Sequence, residues 1–266
     1  MNYWLKTSLS HPLIIGHRGA RAYYPENTIG AMRLAHKQGA HGIEFDVRLC
    51  KSGEVIVIHD LALDRTTNGT GNVSDLTLAE IRQYDAGQSE RVPTLAEIFE
   101  AMRDASTDGI PFLFNVELKN NETQGDGLEA AVAAVVRQYD MGDRVVFSSF
   151  SANSIREILK HAPAVPRGFL YYGEKTLAAL HNVDLSDMQL SFHHPHFALV
   201  TPELMTELGA QHLGVNTWTV NERDDIRRMI TLGVTGIIGD SPATIVEMLG
   251  PTLGEASAPG GGGGWG

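Results

Sequence analysis

The sequence is poor in cysteine, in basic residues and in long apolar runs. One cysteine, Cys50, occurs among 266 residues, so no disulfide can form within the chain and a thiolate-rich zinc site is excluded. The 21 basic residues are outnumbered by 32 acidic ones, and a net charge of −11 gives no general attraction for nucleic acid or an anionic membrane. No apolar run is long enough to span a bilayer. We therefore expect a cytoplasmic protein with neither a membrane span nor a nucleic-acid partner.

What the sequence does contain is enough apolar residues for one large core. Hydrophobic residues make up 42% of the chain, and a single domain is expected over residues 1–250. Residues 251–266 are rich in glycine, which is typical of a disordered tail. We leave this tail out of the fold prediction.

Apolar strand-like runs alternate with helix-period segments along the chain. Eight such units in about 250 residues predict a (β/α)8 TIM barrel. The polar region 61–92 breaks the alternation and is predicted to be a small insertion after the second strand. The alternative is a doubly wound open sheet, which usually has a Gly-rich phosphate turn after its first strand. This chain has His17-Arg18-Gly19-Ala20 there instead.

Several element boundaries are marked by residues that favour helix starts or strand ends. Thr77 and Thr94 each begin a Thr-Leu-Ala-Glu sequence, which is a capping box. The other predicted N-caps are Thr201, Asn221 and Ser241. The helix of the fifth unit is expected over 175–180, and the sixth strand over 189–192, just before His193-His194.

The most informative segment is the strand Gly42-Ile43-Glu44-Phe45-Asp46-Val47. Alternate residues of a strand face opposite sides, so Glu44 and Asp46 share one face. Two like charges on one face of a buried strand are costly unless a cation lies between them. The segment therefore suggests a metal site, and the alternative is an exposed edge strand with a solvated acidic face.

Glu117 repeats this pattern on the next predicted strand of the barrel, Phe112 to Leu118. Three carboxylates at one rim form an oxygen-only site, which favours one divalent cation, Mg²⁺ or Ca²⁺ with Mn²⁺ possible, over Zn²⁺. The first strand also lacks the His-x-His pair of a zinc amidohydrolase.

Other polar residues fall at the C-terminal ends of barrel strands, where catalytic residues are expected. His17 and His59 are placed for general acid–base work, because imidazole titrates near neutral pH. Arg18 and Lys119 supply positive charge for a phosphate ester, or alternatively balance the carboxylates. Trp218 is predicted to form an apolar wall for the substrate carbons, with a cap on the barrel core as the alternative.

These residues belong to seven strings that occur in a fixed order. The strings are His17-Arg18-Gly19, Pro25-Glu26-Asn27-Thr28, Glu44-x-Asp46, His59-Asp60, Leu63-Asp64-Arg65-Thr66-Thr67-Asn68-Gly69, Asn115-Val116-Glu117-Leu118-Lys119 and Trp218-Thr219-Val220-Asn221. Together they resemble the glycerophosphodiester phosphodiesterase family, from Leu13 to about Leu249. The resemblance implies a TIM barrel with a small insertion after the second strand. It also implies an enzyme that uses one divalent cation to hydrolyse small-molecule glycerophosphodiesters to glycerol 3-phosphate and an alcohol.

The resemblance also assigns roles by position. The implied metal ligands are Glu44, Asp46 and Glu117; the implied acid–base pair is His17 and His59; and the implied phosphate-binding residues are Arg18 and Lys119. The expected reaction passes through a cyclic phosphate formed by the glycerol hydroxyl next to the ester. The family often has Thr before the Asp that follows the last strand, whereas Gly239 precedes Asp240 here, so Asp240 is left out of the predicted site.

Three other functions are weaker alternatives. A phospholipase D-type barrel that cleaves intact lipids is expected to have membrane-facing apolar loops and often disulfides. An enolase-like barrel needs a Lys or His base from later strands and leaves His17-Arg18 unexplained. A barrel that only binds glycerophosphodiesters is expected to have lost a metal ligand or a histidine, and all five positions are filled. No pattern in the sequence selects a head group or an oligomeric state.

Overall fold

The computed structural model describes residues 2–5, 9–120, 123, 125–173 and 185–250. Its strands are β1 (Leu13–His17), β2 (Gly42–Leu49), β3 (Val55–Val57), β4 (Ser106–Thr107), β5 (Ile110–Pro111), β6 (Leu113–Leu118), β7 (Val145–Ser149), β8 (Arg167–Tyr171), β9 (Phe192–Pro195), β10 (Gly214–Thr217) and β11 (Gly236–Gly239). Its α-helices are α1 (Ile29–Lys37), α2 (Leu78–Ile81), α3 (Leu95–Ala101), α4 (Leu128–Gln138), α5 (Ala152–His161), α6 (Pro202–Ala210), α7 (Arg223–Leu232) and α8 (Pro242–Leu249).

Eight parallel strands form a closed barrel in the order β1, β2, β6, β7, β8, β9, β10 and β11. The barrel closes because β1 pairs in parallel with both β2 and β11. Strand β3 adds to β2 in an antiparallel sense and lies outside the ring. The predicted (β/α)8 barrel is confirmed, and the open-sheet alternative is wrong. The predicted helix over 175–180 and the Gly-rich tail over 251–266 lie outside the described residues.

The insertion of residues 61–92 packs beside the barrel with an apolar cluster of its own. It contains a 3-10 turn, Val73–Asp75, and the short helix α2. Leu63, Val73, Ile81 and Val92 are buried in this cluster. The small insertion after the second strand is therefore confirmed. Among the described residues, no helix combines the length and the apolar character needed to cross a bilayer.

Strand β2 shows how the alternation of side chains divides the core from the site. Ile43, Phe45 and Val47 point outward and are buried in the large cluster between the strands and the helices. A smaller apolar cluster, which includes Trp4, fills the N-terminal half of the barrel interior. Glu44 and Asp46 point into the barrel near its C-terminal end. The face that carries them is buried, so the solvated edge-strand alternative is wrong.

Four of the five predicted N-caps are confirmed by side-chain hydrogen bonds, including both capping boxes. The prediction for Asn221 is wrong, because Glu222 is the N-cap of α7 and makes no side-chain capping bond. The Asn221 amide is bonded to Asp240 instead: its Nδ2 donates to Asp240 Oδ2 at 2.8 Å, and its Oδ1 accepts from the Asp240 backbone N–H at 2.9 Å. The Asn221 side chain therefore bonds to a residue of another loop and not to the backbone at the start of α7.

The sixth barrel strand begins three residues later than predicted. Gln189 ends a 3-10 turn in the left-handed region, with φ of 46°, and this delays the strand to Phe192. His193 and His194 consequently lie within β9 and are buried.

Candidate active site

Strand register brings the predicted metal ligands together at the C-terminal rim. Asp46 of β2 is paired in register with Glu117 of β6, and Glu44 of β2 with His17 of β1. The carboxylates of Glu44, Asp46 and Glu117 offer oxygen atoms that all lie within 4.8 Å of one another. All three side chains are buried. Three anions this close together form a site that could hold a metal ion.

The electrostatics of the three carboxylates fit a cation. Burial raises the pKa of Glu44 well above its usual range, and the charges of Asp46 and Glu117 add to that shift. Burial and the Asp46 charge raise the pKa of Glu117 to about 7. Burial acts in the same sense on Asp46, but the charges of Arg18, His59 and Lys119 lower its pKa overall.

One carboxylate oxygen also lacks a partner. Asp46 Oδ2 accepts from Asn27 Nδ2 at 3.0 Å, whereas Asp46 Oδ1 is buried and has no hydrogen-bond partner among the described residues. A buried carboxylate oxygen of this kind is suited to accept a cation as its partner. An oxygen-only donor set suits Mg²⁺, Ca²⁺ or Mn²⁺.

A second cluster has the composition of a metal site but the wrong hydrogen bonds. At the opposite end of the barrel, His11, His41 and Asp108 also bring ligand atoms within 4.8 Å of one another. The backbone N–H of Ile14 donates to His41 Nδ1 at 3.1 Å, so the proton of the neutral ring is on Nε2. That Nε2 donates to Asp108 Oδ2 at 3.1 Å and has no lone pair for a metal. We assign this cluster a structural role.

Two cationic side chains border the three carboxylates. Arg18 follows β1 with a left-handed φ of 51°; its backbone N–H donates to Glu44 Oε2 at 3.2 Å and its Nε lies 3.1 Å from Asp46 Oδ2. Lys119 Nζ lies 3.0 Å from Glu117 Oε1 and 4.0 Å from Asp46 Oδ1. Burial opposes the charge on Lys119, but the neighbouring carboxylates raise its pKa. Both side chains therefore stay protonated.

Each predicted catalytic histidine is hydrogen-bonded to an aspartate. His17 Nδ1 lies 2.6 Å from Asp240 Oδ1, and His59 Nδ1 lies 2.6 Å from Asp60 Oδ1. A carboxylate only accepts hydrogen bonds, so Nδ1 carries the proton in both rings and Nε2 keeps the lone pair. His59 Nε2 lies 3.1 Å from Lys119 Nζ. Burial lowers the pKa of both histidines, and the aspartates oppose this shift in part.

These groups surround a cavity of about 170 Å³ with one polar and one apolar side. The polar side contains His17, Arg18, Glu44, His59, Glu117 and Lys119. The apolar side includes Phe150 and Trp218, whose rings meet edge to face with centroids 5.3 Å apart. The Trp218 ring is fixed by its Nε1–H, which donates to the His194 carbonyl at 2.9 Å. The cavity therefore offers charges for a phosphate and rings for carbon atoms.

The structure brings together all eight residues predicted for the site: seven line the cavity, and Asp46 lies buried among them. Five further side chains at or beside the site were not predicted: Asp240, Glu26, Asp60, Arg65 and Phe150. Asp240 was left out because of its neighbour Gly239. Glu26, Asp60 and Arg65 occur in the quoted strings, which was a usable signal, but no role was derived for them. Phe150 had no signal in the sequence. The roles of all these residues remain predictions.

Comparison with known sequences identifies the family. Residues 17–244 match the sequence profile of the glycerophosphoryl diester phosphodiesterase family. The chain is 39% identical over 244 residues to a glycerophosphodiester phosphodiesterase of Caldanaerobacter subterraneus subsp. tengcongensis, covering 89% of this chain and 97% of that protein. It is 36% identical over 246 residues to a glycerophosphodiester phosphodiesterase of Bacillus altitudinis, covering 88% of this chain and 97% of that protein.

Solved structures agree with this result. A glycerophosphoryl diester phosphodiesterase of Silicibacter pomeroyi, described as putative, superposes with a TM-score of 0.82 at 30% identity, over 92% of this chain and 95% of that one. A phosphodiesterase of Oleispira antarctica, solved in complex with the product sn-glycerol-3-phosphate, superposes with a TM-score of 0.79 at 27% identity, over 90% of this chain and 97% of that one. The chain belongs to the glycerophosphoryl diester phosphodiesterase family of hydrolases.

Proposed function

We propose that this enzyme hydrolyses glycerophosphodiesters to glycerol 3-phosphate and an alcohol with the help of one divalent cation. The observation that carries the proposal is the group of three buried carboxylates, Glu44, Asp46 and Glu117, between two histidine–aspartate pairs. The names of the relatives and the sn-glycerol-3-phosphate in the Oleispira antarctica structure support the substrate class.

The charges of the site favour a phosphodiester once a cation is held. With all three carboxylates ionised, they and the side chains of Arg18 and Lys119 together carry one net negative charge, which a divalent cation reverses to one net positive charge. When bound, the cation supplies a Lewis acid that stabilises negative charge on oxygen. Arg18 binds the non-bridging phosphate oxygens as a planar fork, and Lys119 adds a point charge.

The two imidazoles move the protons of the first step. The free glycerol hydroxyl next to the ester attacks phosphorus, and the bond from phosphorus to the leaving alcohol oxygen breaks. The Nε2 of one histidine accepts the proton of the attacking hydroxyl. The other histidine starts protonated and gives its Nε2 proton to the leaving oxygen. His17 and His59 suit this exchange because each presents Nε2 while an aspartate holds Nδ1–H.

The second step opens the cyclic phosphate with the two histidines in exchanged roles. The histidine that gained a proton returns it to the glycerol oxygen as its bond to phosphorus breaks. The histidine that lost a proton removes one from the attacking water. Both imidazoles return to their starting states, and the sum is one diester plus one water giving glycerol 3-phosphate and one alcohol.

The test is an assay of glycerol 3-phosphate release from choline, ethanolamine, inositol and glycerol diesters. Excess chelator should stop turnover, and Mg²⁺, Ca²⁺ or Mn²⁺ should restore it. Bis(p-nitrophenyl) phosphate is the matched control, because it has no free hydroxyl beside the ester and should not be cleaved at a comparable rate. Full activity in chelator would refute the role of the cation. Equal cleavage of the control diester would refute attack by the neighbouring hydroxyl.

A further inference from the structure

One arginine of the insertion contacts two carboxylates of the active-site rim at once. Arg65 Nε donates to Asp60 Oδ2 at 2.6 Å, and Nη2 donates to Asp60 Oδ1 at 3.0 Å. The same Nη2 donates to Glu26 Oε1 at 2.8 Å, and Nη1 donates to Glu26 Oε2 at 3.1 Å. The guanidinium therefore joins two forks, one on each carboxylate. Asp60 follows β3 and Glu26 precedes α1, so the contact also links two separate loops.

Each of these carboxylates holds a different functional side chain. Asp60 Oδ1 accepts from His59 Nδ1 at 2.6 Å. Glu26 Oε1 accepts from Arg18 Nη1 at 2.8 Å. Arg65 does not line the cavity, and its side chain is 46% exposed. Its contacts to the site therefore pass through Asp60 and Glu26.

From these contacts we infer that Arg65 is a positioning residue, which orients the imidazole of His59 through Asp60 and the guanidinium of Arg18 through Glu26. The inference rests on the proposed function, in which His59 transfers a proton and Arg18 binds the phosphate. Without Arg65, Asp60 and Glu26 would lose the cation that bridges them, and only Glu26 would keep other cations beside it, Arg18 and Arg21. The His59 imidazole and the Arg18 guanidinium would then lose the orientation and the relative position that this bridge fixes.

The fold of the insertion explains how Arg65 is held in place. Leu63, two residues before it, is fully buried in the apolar cluster of the insertion. The backbone N–H of Thr67, two residues after it, donates to the Leu63 carbonyl at 3.0 Å and closes a turn. Arg65 therefore projects from a short turn that is anchored by packing. On this view the insertion supports the catalytic rim through one side chain.

The chain offers a matched control for the loss of such a fork. Arg156 donates to Asp187 with Nε at 2.6 Å and Nη2 at 3.2 Å, nearly the geometry that Arg65 makes with Asp60. This pair lies on α5 and the turn before β9, and neither residue borders the cavity. Arg156→Gln therefore measures how much kcat changes when an exposed Arg–Asp fork is lost and no catalytic group depends on it.

The first experiment compares the kinetics of Arg65→Gln, Arg65→Lys and Arg156→Gln with the wild-type enzyme. We expect Arg65→Gln to lower kcat by about 10–100-fold, the usual range for loss of a group that orients a ligand or catalytic side chain. Arg65→Lys should recover only part of this loss, because an ammonium group cannot form two forks. Arg156→Gln should leave kcat within twofold of wild type. A kcat of Arg65→Gln equal to that of Arg156→Gln would overturn the inference.

A second readout separates positioning from general stability. In protein labelled with ¹⁵N-histidine, the His59 ring, assigned by its absence in His59→Gln, should be the Nδ1–H tautomer in wild type. Because Lys119 Nζ donates to Nε2 at 3.1 Å, the tautomer should stay the same in every variant, and the readout is the Nδ1–H proton, which donates to Asp60 at 2.6 Å. Its resonance should shift upfield and broaden in Arg65→Gln and stay unchanged in Arg156→Gln. An unshifted Nδ1–H resonance in Arg65→Gln would overturn the inference. Should Arg65→Gln not fold, Arg65→Lys is compared in the same way. This measurement needs no turnover, so it stands even if the wild-type enzyme releases no glycerol 3-phosphate.

Discussion

Asp46 and Glu117 lie side by side because β2 and β6 pair them in register, and Glu44 completes the group two residues before Asp46. The fold holds these three carboxylates close together despite their mutual repulsion, which lowers the free energy of unfolding when no cation is bound. Removing one charge should make the protein more stable and the enzyme inactive.

The first prediction concerns Glu44→Gln. In chelator, this change should raise the free energy of unfolding by about 1–2 kcal/mol, a usual size for a stabilising substitution, because it removes a carboxyl group that folding forces either to take up a proton or to stay charged beside Asp46 and Glu117. Its amide oxygen can still accept the Arg18 backbone N–H. Saturating Mg²⁺ should stabilise the wild type and leave Glu44→Gln unchanged, since a ligand stabilises only the state that binds it. Thermal melts with and without Mg²⁺ check both points, with Glu207→Gln as surface control. A lower stability of Glu44→Gln in chelator would contradict the prediction.

The second prediction concerns the two histidines proposed as acid and base. His17→Ala and His59→Ala should each lower kcat by about 10²–10⁴-fold, the usual contribution of a positioned acid or base. Neither change should alter the circular dichroism spectrum, because both rings lie at the rim and not in the apolar clusters. His161→Ala, on the exposed face of α5, is the control and should keep full activity. Near-wild-type turnover in either rim variant would rule out that histidine as acid or base.

The third prediction concerns Asp240, which the sequence analysis left out. In wild type one oxygen accepts from His17 and the other from Asn221. Asp240→Asn has only one accepting oxygen, so it must present an N–H to His17 Nδ1 or to Asn221 Nδ2. We expect kcat to fall about 10–100-fold, as for other groups that orient a catalytic side chain. Asp108→Asn makes the same change beside His41 at the opposite end of the barrel, where the remaining oxygen can still accept from His41 Nε2–H, and should leave kcat unchanged. Equal kcat values for the two variants would contradict the prediction.

The fourth prediction concerns pH and the buried histidine His194. Burial lowers its pKa to about 3, so the ring is neutral in the folded protein and takes up a proton more readily when unfolded. This difference does not affect stability above pH 6.5, the pKa of an unfolded histidine. As the pH falls from 6.5 toward 3, only the unfolded state takes up the proton, so the free energy of unfolding decreases. Between pH 6.5 and 5 this amounts to about 2 kcal/mol.

The matched variant is His194→Gln, which keeps an acceptor for Asn216 Nδ2 and removes the titration. Urea unfolding at both pH values should show the wild type losing about 2 kcal/mol more than this variant, because one pKa unit is worth about 1.4 kcal/mol. Equal losses in the two proteins would show that His194 does not titrate differently on unfolding.

The sequence predicts the barrel and the three carboxylates well because both depend on local periodicity. Alternation along β2 separates Phe45 from Glu44 and Asp46, and the number of strand–helix units indicates closure. Local sequence patterns do not predict a contact that depends on a partner far away in the chain. Asn221 has the residue type of an N-cap, but Asp240 binds its amide. The start of β9 depends on a left-handed turn at Gln189, which has no signature in hydrophobic periodicity.

The sequence likewise predicts the reacting side chains better than the residues that hold them in place. Residue type and strand position suffice to predict His59 and Arg18. They do not reveal that Glu26, Asp60 and Arg65 connect these two side chains, because the connection depends on side-chain geometry between separate loops. Phe150 follows β7 and lines the cavity, and nothing near it in the sequence marks it.

The hydrogen bond between His17 and Asp240 joins residues 223 positions apart in the chain. His17 ends the first barrel strand and Asp240 follows the last, so the pair forms only where β1 meets β11. During refolding, proper orientation of His17 must therefore wait until the ends of the ring have met. Recovery of turnover on refolding is therefore expected to require that β1 pairs with β11, and a circular permutant that joins these two strands by a short linker should speed it.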